Sequence, residues 1–171
     1  GRSPAGVWVS DAAGRAFVSS PDSASVTVID LATRKPVGDI RAGRSPVGIT
    51  VTPDGRRLLV ADWFLHRVLV FDVATQAQLG EIAVGSAPAG LVAAPDSRTA
   101  YVANRDDNAV GVLDIAGLKQ TSTIAVGNHP FALELSADGR TLGALNAYSN
   151  DVSVVDTGQA RTVATLPVGK A

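Results

Sequence analysis

Residues 85–126 read GSAPAGLVAAPDSRTAYVANRDDNAVGVLDIAGLKQTSTIAV, and this pattern recurs along the chain with a period of 42 residues. Glycines mark the period at Gly1, Gly43, Gly85, Gly127 and Gly169, and a proline follows each of the first four by three residues. An aspartate recurs with the same period, at Asp30, Asp72, Asp114 and Asp156. Four units fit the 171 residues without an insertion. A fixed period of this length predicts a repeat architecture.

Each unit reads as four short strands. In the second unit the apolar runs VGITVTP, RRLLVAD, RVLVFDV and AQLGEIAVG are separated by turn residues such as Pro53, Asp54 and Gly55. Because proline presets φ and glycine accepts a positive φ, this triplet predicts a tight turn. Short β-rich runs at a spacing of about ten residues predict an all-β fold.

The strands are apolar on both faces. In the third strand of the second unit, Val68 and Val70 point to one side, while Leu69 and Phe71 point to the other. Both faces of each small sheet must therefore be covered by other parts of the protein. Four-stranded units of about 40 residues that pack face to face are the blades of a β-propeller. We predict four antiparallel blades at approximately residues 1–42, 43–84, 85–126 and 127–168, with a β-solenoid as the main rival.

Composition excludes several functional classes. The chain is 46% hydrophobic and 18% charged, with a formal net charge of -1, so it has the apolar content of a folded domain. Its charges are interspersed, so nucleic acid is not an expected partner. There is no cysteine for a disulfide or a thiolate site. No run approaches the roughly 18 apolar residues of a membrane span.

The repeat resembles the YVTN family of β-propeller proteins. The third unit carries the strand YVAN at 101–104, then Asn108 and the strand VGVLD, and the fourth carries Asn146, Asn150 and VSVVD. The second unit departs with Asp62 and His66, and the first with Ser20 and Ala24. The resemblance covers the whole chain. It implies a propeller from a bacterial or archaeal protein, exported to the periplasm or cell surface, and leaves the ligand open.

Most recurring polar residues have a structural interpretation. The aspartate that ends each third strand predicts an Asx-type turn, because a functional residue rarely recurs in every repeat. The two histidines, His66 and His129, occupy different repeat positions and lack zinc-site spacing. The loop NRDDN at 104–108 could offer oxygens to Ca²⁺, although its spacing is not that of an EF-hand. We predict no catalytic residue, metal site or cofactor.

The second unit contains an anomaly, DWFLH at 62–66, where the other loops read SPDSA, NRDDN and NAYSN. Three large apolar residues stand where the repeat predicts solvent, which indicates either an interface or a loop folded over a neighbouring blade. In a propeller, the loops after the second and fourth strands emerge on one side, here called the loop face; the other side is the turn face. The predicted loop-face binding residues are Trp63, Phe64, His66, Arg105, Asp106, His129 and Tyr148, with Arg44 beside them.

Two functions are compatible with these features. Strict repeats without a catalytic constellation favour a non-enzymatic binding or scaffold module, whose loop face takes a protein or a small molecule. The alternative is a propeller enzyme, similar to a lyase or lactonase, with a metal site on the axis. That alternative needs ionisable residues on the innermost strands, where only Glu134 occurs.

Closure of the ring has three possible forms. The resemblance implies more than four blades, and a blade that is apolar on both faces leaves an exposed patch at each end of an array. The sequence VGKA at 168–171 matches the opening of a fifth unit, which favours further blades. The other possibilities are a homodimer of two half-rings and a ring closed by four blades alone.

Overall fold

The computed structural model describes residues 1–169, so the last two residues of the 168–171 tail lie outside it. It contains four antiparallel sheets of four strands, each ordered along the chain. Blade 1 contains β1 (Gly6–Ser10), β2 (Arg15–Ser20), β3 (Ser25–Asp30) and β4 (Lys35–Arg41); blade 2 contains β5 (Pro46–Val51), β6 (Arg57–Asp62), β7 (Arg67–Asp72) and β8 (Gln78–Ala83). Blade 3 contains β9 (Pro88–Ala93), β10 (Thr99–Asn104), β11 (Ala109–Asp114) and β12 (Lys119–Ala125); blade 4 contains β13 (Pro130–Leu135), β14 (Thr141–Asn146), β15 (Asp151–Asp156) and β16 (Arg161–Pro167). The predicted all-β propeller architecture is confirmed.

Neighbouring blades pack through three apolar cores. Phe17, Val28 and Leu58 belong to the core between blades 1 and 2. Leu59, Val102 and Leu113 belong to the core between blades 2 and 3, and the third core fills the space between blades 3 and 4. The two-faced strand is confirmed on β7, since Leu69 and Phe71 join the first core while Val68 and Val70 join the second.

The four blades form an open arc. Their innermost strands, β1, β5, β9 and β13, line one central groove. On the outward face of blade 1, Val7 is 67% exposed, and on that of blade 4, Leu166 is 53% exposed. Four blades therefore do not close into a ring by themselves in this structure.

The aspartate that ends each third strand forms an Asx turn, as the sequence predicts. Asp72 accepts hydrogen bonds from the Thr75 N–H at 2.9 Å and the Thr75 hydroxyl at 3.0 Å. These bonds lower the pKa of Asp72, the backbone donor contributing most. Asp30, Asp114 and Asp156 accept a backbone N–H three residues further along in the same way. These four carboxylates therefore shape turns.

Candidate functional site

The loop face is built on a shared backbone conformation. The fourth residue after each second strand has a left-handed φ of about +50°, at Ala24, His66, Asn108 and Asn150. Asparagine tolerates this region better than most residues do, which explains its place in the repeat. In blade 3 the Asn108 side chain also accepts a hydrogen bond from the His129 N–H at 2.9 Å, tying the loop to blade 4.

His66 performs the same task in blade 2. Its Nδ1 accepts a hydrogen bond from the Ala87 N–H at 3.2 Å, across the junction with blade 3. The sequence predicts His66 as a binding residue. The structure places His66 on the loop face, where its hydrogen bond with Ala87 also joins blade 2 to blade 3.

Asp62 replaces the buried asparagine of the later blades without loss of pairing. Its carboxylate is fully buried and accepts hydrogen bonds from the N–H groups of Arg44, at 3.1 Å, and Ser45, at 3.0 Å. Arg67 lies 3.4 Å away and supplies a positive charge. The carboxylate thus holds the connection between blades 1 and 2.

The centre of the loop face is a group of side chains that we call the aromatic–arginine cluster: Trp63, Arg105, His129, Phe131 and Tyr148. The Arg105 guanidinium lies 5.6 Å from the Trp63 ring centroid and 5.4 Å from that of Tyr148. Both separations fall within the range of cation–π attraction. Arg105 also pairs with Asp106 at 2.5 Å. A charged group is thereby fixed between two aromatic rings.

The cluster joins three blades. The His129 and Tyr148 rings lie 4.0 Å apart, and those of Trp63 and Phe131 lie 6.4 Å apart. His129 Nε2 lies 3.8 Å from the Asp106 carboxylate. His129 Nδ1 is buried and has no hydrogen-bond partner within residues 1–169. Of the predicted residues, Trp63, Arg105, Asp106, His129 and Tyr148 are brought together here.

The residues of the DWFLH loop differ in burial: Trp63 folds over a neighbouring blade, while Phe64 and Leu65 remain exposed. Trp63 is half-buried and packs against the core between blades 3 and 4. Phe64 is 56% exposed and lies beneath the Arg44 guanidinium, 5.3 Å from its ring centroid. Leu65 is also exposed. One ring therefore anchors the loop while its neighbours face solvent.

Sequence reasoning missed Phe131. The signal was present, because the residues at the same repeat position are small or aliphatic: Ala5, Val47 and Ala89. Phe131 is 46% exposed and contributes the blade 4 wall of the cluster.

The side-chain oxygens of the loop 104–108, which could be offered to Ca²⁺, contact other groups of the protein instead. Asp107 accepts a hydrogen bond from the Ser86 N–H at 2.8 Å, Asn108 bonds to blade 4, and Asp106 pairs with Arg105. Across residues 1–169, no group of three His, Cys, Asp or Glu side chains could hold a metal ion. Glu134 lies near the turn-face end of β13, away from the cluster.

Comparison with known proteins gives the wider family. A family model described as "Lactonase, 7-bladed beta-propeller" matches residues 81–166, half of the 171-residue chain. The chain belongs to this family. No curated protein matches it. This assignment agrees with the open arc of four blades, although the match itself begins within blade 2.

Two solved structures share the fold. Hydrazine synthase from Kuenenia stuttgartiensis is 31% identical, with a TM-score of 0.89 over 95% of this chain and 48% of that one. A functionally unknown protein from Desulfotomaculum acetoxidans DSM 771 is 13% identical, with a TM-score of 0.84 over 99% of this chain and 58% of that one. The chain thus spans about half the length of the solved structures it matches. In the described part of the chain, no helix has the length and apolarity to cross a membrane.

Proposed function

We propose that this chain is a non-enzymatic binding module of a propeller protein, and that a protein partner contacts its loop face. The observation that carries this proposal is the aromatic–arginine cluster, flanked by the exposed Phe64 and Tyr148. Tryptophan, tyrosine and arginine dominate the energetic centres of protein interfaces. Their rings bring a large contact area at low cost in conformational entropy.

The fold does not require these aromatic residues. Blade 1 makes the same left-handed loop as blade 2 with Pro21 and Asp22 where blade 2 has Trp63 and Phe64. Large side chains that the turn does not need, on the side where rigid scaffolds carry their variable loops, support a recognition role. Phe64 and Tyr148 are 56% and 66% exposed, so they project toward a partner surface.

We also propose that the protein is of the YVTN type and is exported, to the periplasm or the cell surface. The Tyr101–Asn104 segment lies on β10 with all four residues buried, which supports the assignment to the YVTN type. Fractionation of the host cells that express the intact gene at its natural locus, with the protein detected by an antibody, tests the export proposal. Recovery in the cytoplasm alone contradicts it.

Variants on the two faces test the binding proposal. The 171-residue chain, immobilised and exposed to an extract of its host, should retain a partner whose affinity is then measured in purified form. Replacing Trp63 and Phe64 together by serine should weaken binding at least about tenfold, or ~1.4 kcal/mol. Val37→Ser, on β4 and 51% exposed, is the control away from the loop face and should leave affinity unchanged.

Trp63 also packs inside the molecule, so a second pair keeps the test decisive. Phe64→Ser with Tyr148→Ser removes only exposed rings and should preserve the far-ultraviolet circular dichroism and the Tm. If this pair binds every captured partner as tightly as the unmodified chain does, the loop-face proposal is wrong.

A second candidate is a lactonase-type enzyme, favoured by the family that the chain belongs to. The axial groove would have to supply its site, and Glu134 is the ionisable side chain on the innermost strands. Hydrolysis of simple lactones, together with metal analysis of the purified intact protein, distinguishes the two functions. Turnover that depends on a stoichiometric divalent ion and is lost in Glu134→Gln would establish the enzyme.

A further inference from the structure

A second cavity lies on the turn face, between blades 2 and 3. Its volume is about 750 Å³, which falls within the range of small-molecule sites. Its lining comes from both blades and contains three arginines, two aspartates and a group of apolar side chains. At one end, the Asp54 N–H donates a hydrogen bond to the Ser97 hydroxyl at 3.1 Å and joins the two walls.

Arginines stand on both walls of this cleft. Arg56 and Arg57 belong to blade 2, and Arg98 belongs to blade 3. Arg57 pairs with Asp72 of its own blade at 2.7 Å. Arg56 and Arg98 are exposed, and neither forms an ion pair with residues 1–169. Two arginines that line the cleft thus have guanidinium groups that donate no hydrogen bond to residues 1–169.

The two carboxylates in the lining are occupied by their own turns. Asp54 accepts hydrogen bonds from the Thr52 hydroxyl at 2.6 Å and the Arg56 N–H at 3.0 Å. Asp96 accepts the N–H groups of Arg98 and Thr99 at 2.8 and 2.9 Å. Burial raises the pKa of each, but these hydrogen bonds outweigh it and lower the pKa overall. Both stay ionised at neutral pH and balance the charges of Arg56 and Arg98, while the charge of Arg57 is balanced by Asp72.

The floor of the cleft is apolar, and it is made by Val70, Leu79, Ile115 and Leu118. Leu118 has a left-handed φ of 50° and projects over Gly80 of blade 2. A Cβ on Gly80 would come within 2.4 Å of the Leu118 side chain, so glycine leaves the room that this contact needs. The cleft therefore combines charged residues at its rim with apolar residues at its floor.

The repeat provides two further clefts for comparison. Between blades 1 and 2 the volume is about 470 Å³, and Arg15 crosses the junction to donate a hydrogen bond to the Val73 carbonyl at 2.9 Å. Between blades 3 and 4 the volume is about 260 Å³, and Tyr101 reaches Thr157. At the middle junction the residue equivalent to Arg15 is Arg57, which turns back to its own blade. The largest cleft is therefore the one that no arginine or tyrosine bridges.

We propose that this cleft is a binding site for an amphiphilic monocarboxylate, independent of the loop-face function. The planar guanidinium groups of Arg56 and Arg98 suit bidentate pairing with a carboxylate. The alkyl or aromatic body of the ligand covers Val70, Ile115 and Leu118. The two guanidinium groups without an ion-pair partner suit a monoanion, whereas the second charge of a dianion would be repelled by Asp54 and Asp96.

A titration with octanoate tests the proposal, followed by methyl and arginine side-chain NMR of the isotopically labelled chain. Octanoate should produce saturable shifts at Val70, Leu79, Ile115 and Leu118. Octanol, which lacks the charge, and inorganic phosphate, which lacks the chain, should each bind at least about tenfold more weakly.

Matched arginine variants locate the site. Arg56→Gln or Arg98→Gln should weaken octanoate at least about tenfold, since glutamine keeps the stem and loses the charge. Arg140→Gln changes the same turn position in blade 4, outside the cleft, and should bind as the unmodified chain does. Three results overturn the proposal: no saturation, shifts centred on Val7 or Leu166 of the outward faces, or equal affinity in all three variants.

Discussion

Blades 2 and 3 have a neighbour on each side, whereas blades 1 and 4 have one, and one repeat position differs in burial between blade 4 and the other three blades. Ile82 in blade 2 is fully buried, and its counterpart Leu166 in blade 4 is 53% exposed. Ile40 and Ile124, at the same position in blades 1 and 3, are buried because the next blade covers them. Burial in this chain is therefore set by the neighbour more than by the residue.

Blade 4 also differs in sequence on its outward face. Gly6, Gly48 and Gly90 of the inner strands each lie against a carbonyl of the next blade, and blade 4 has Ala132 at this position. Where the first and second strands of a blade pair, Trp8 lies opposite Phe17 in blade 1, while Glu134 lies opposite Gly143 in blade 4. The outward face of blade 4 is thus not a copy of the faces that pack inside the arc.

The largest expected contrast comes from truncating the covered and uncovered residues. Ile82→Ala should lower the free energy of unfolding by about 2–5 kcal/mol, because it leaves a cavity between blades 2 and 3. Leu166→Ala removes a side chain already half in water and should cost less than about 1 kcal/mol. Urea unfolding followed by tryptophan fluorescence measures both. Equal losses would mean that the outward face of blade 4 is covered in solution.

A smaller contrast is expected at the inner strands. A Cβ on Gly48 would lie 1.8 Å from the Ala89 carbonyl oxygen, so Gly48→Ala should destabilise the chain by about 1–3 kcal/mol through overpacking. The reverse change in blade 4, Ala132→Gly, should cost only about 0.5–1 kcal/mol in backbone entropy. The same unfolding assay compares them. A neutral Gly48→Ala variant would show that the blades can move apart at this junction.

Much of this fold was accessible from the sequence. The 42-residue spacing of the glycines and the two-faced strand around Val68 and Leu69 both depend on local chemistry, and they predicted the sheets. The sequence left three forms of closure open, namely further blades, a homodimer of half-rings and a ring of four blades, because closure depends on how blades meet and not on any one unit. Phe131 departs from the smaller residues at its repeat position, but its contact with Trp63, 68 positions earlier in the chain, depends on the folded structure.

The candidate site was predictable only in part. Trp63 and Phe64 stood out against small polar counterparts, but the sequence could not separate the ring that packs inward from the one that faces solvent. The bonding of His66 to Ala87 depends on a contact across two blades. The turn-face cleft could not be foreseen, because it arises from the direction in which Arg57 turns.

Asn108 and His66, whose side chains accept hydrogen bonds across blade junctions, give a third, smaller contrast. Asn108→Ala removes the hydrogen bond to the His129 N–H and puts alanine at a left-handed φ, so it should cost about 1–2 kcal/mol. His66→Asn restores the repeat residue at an equivalent position and should change the free energy of unfolding by less than about 0.5 kcal/mol. Thermal unfolding of both variants, with His66→Ala as the reference, measures these effects. A large loss in His66→Asn would give the imidazole a role that asparagine cannot fill.

The smallest difference is expected at two turns that are alike in a middle and an end blade. Asp54 accepts bonds from Thr52 and the Arg56 N–H, and Asp138 accepts the matching bonds from Ser136 and the Arg140 N–H. The pKa of each is lowered: for Asp54 these bonds overcome the opposing effect of burial, and for Asp138 the Ser136 hydroxyl contributes most.

A carboxyl whose pKa is lower in the folded state stabilises the protein above its unfolded pKa, and that stabilisation is lost as the pH falls through the folded value. Asp54→Asn and Asp138→Asn should therefore each be less stable than the unmodified chain at pH 7. Both deficits should shrink together below about pH 4, near the ordinary pKa of aspartate. Urea unfolding across pH 2.5–7 measures the two curves. Because both turns are local, their curves should coincide even though the blades differ in burial; a deficit confined to Asp54→Asn would show that the neighbouring blade, and not the turn, holds that charge.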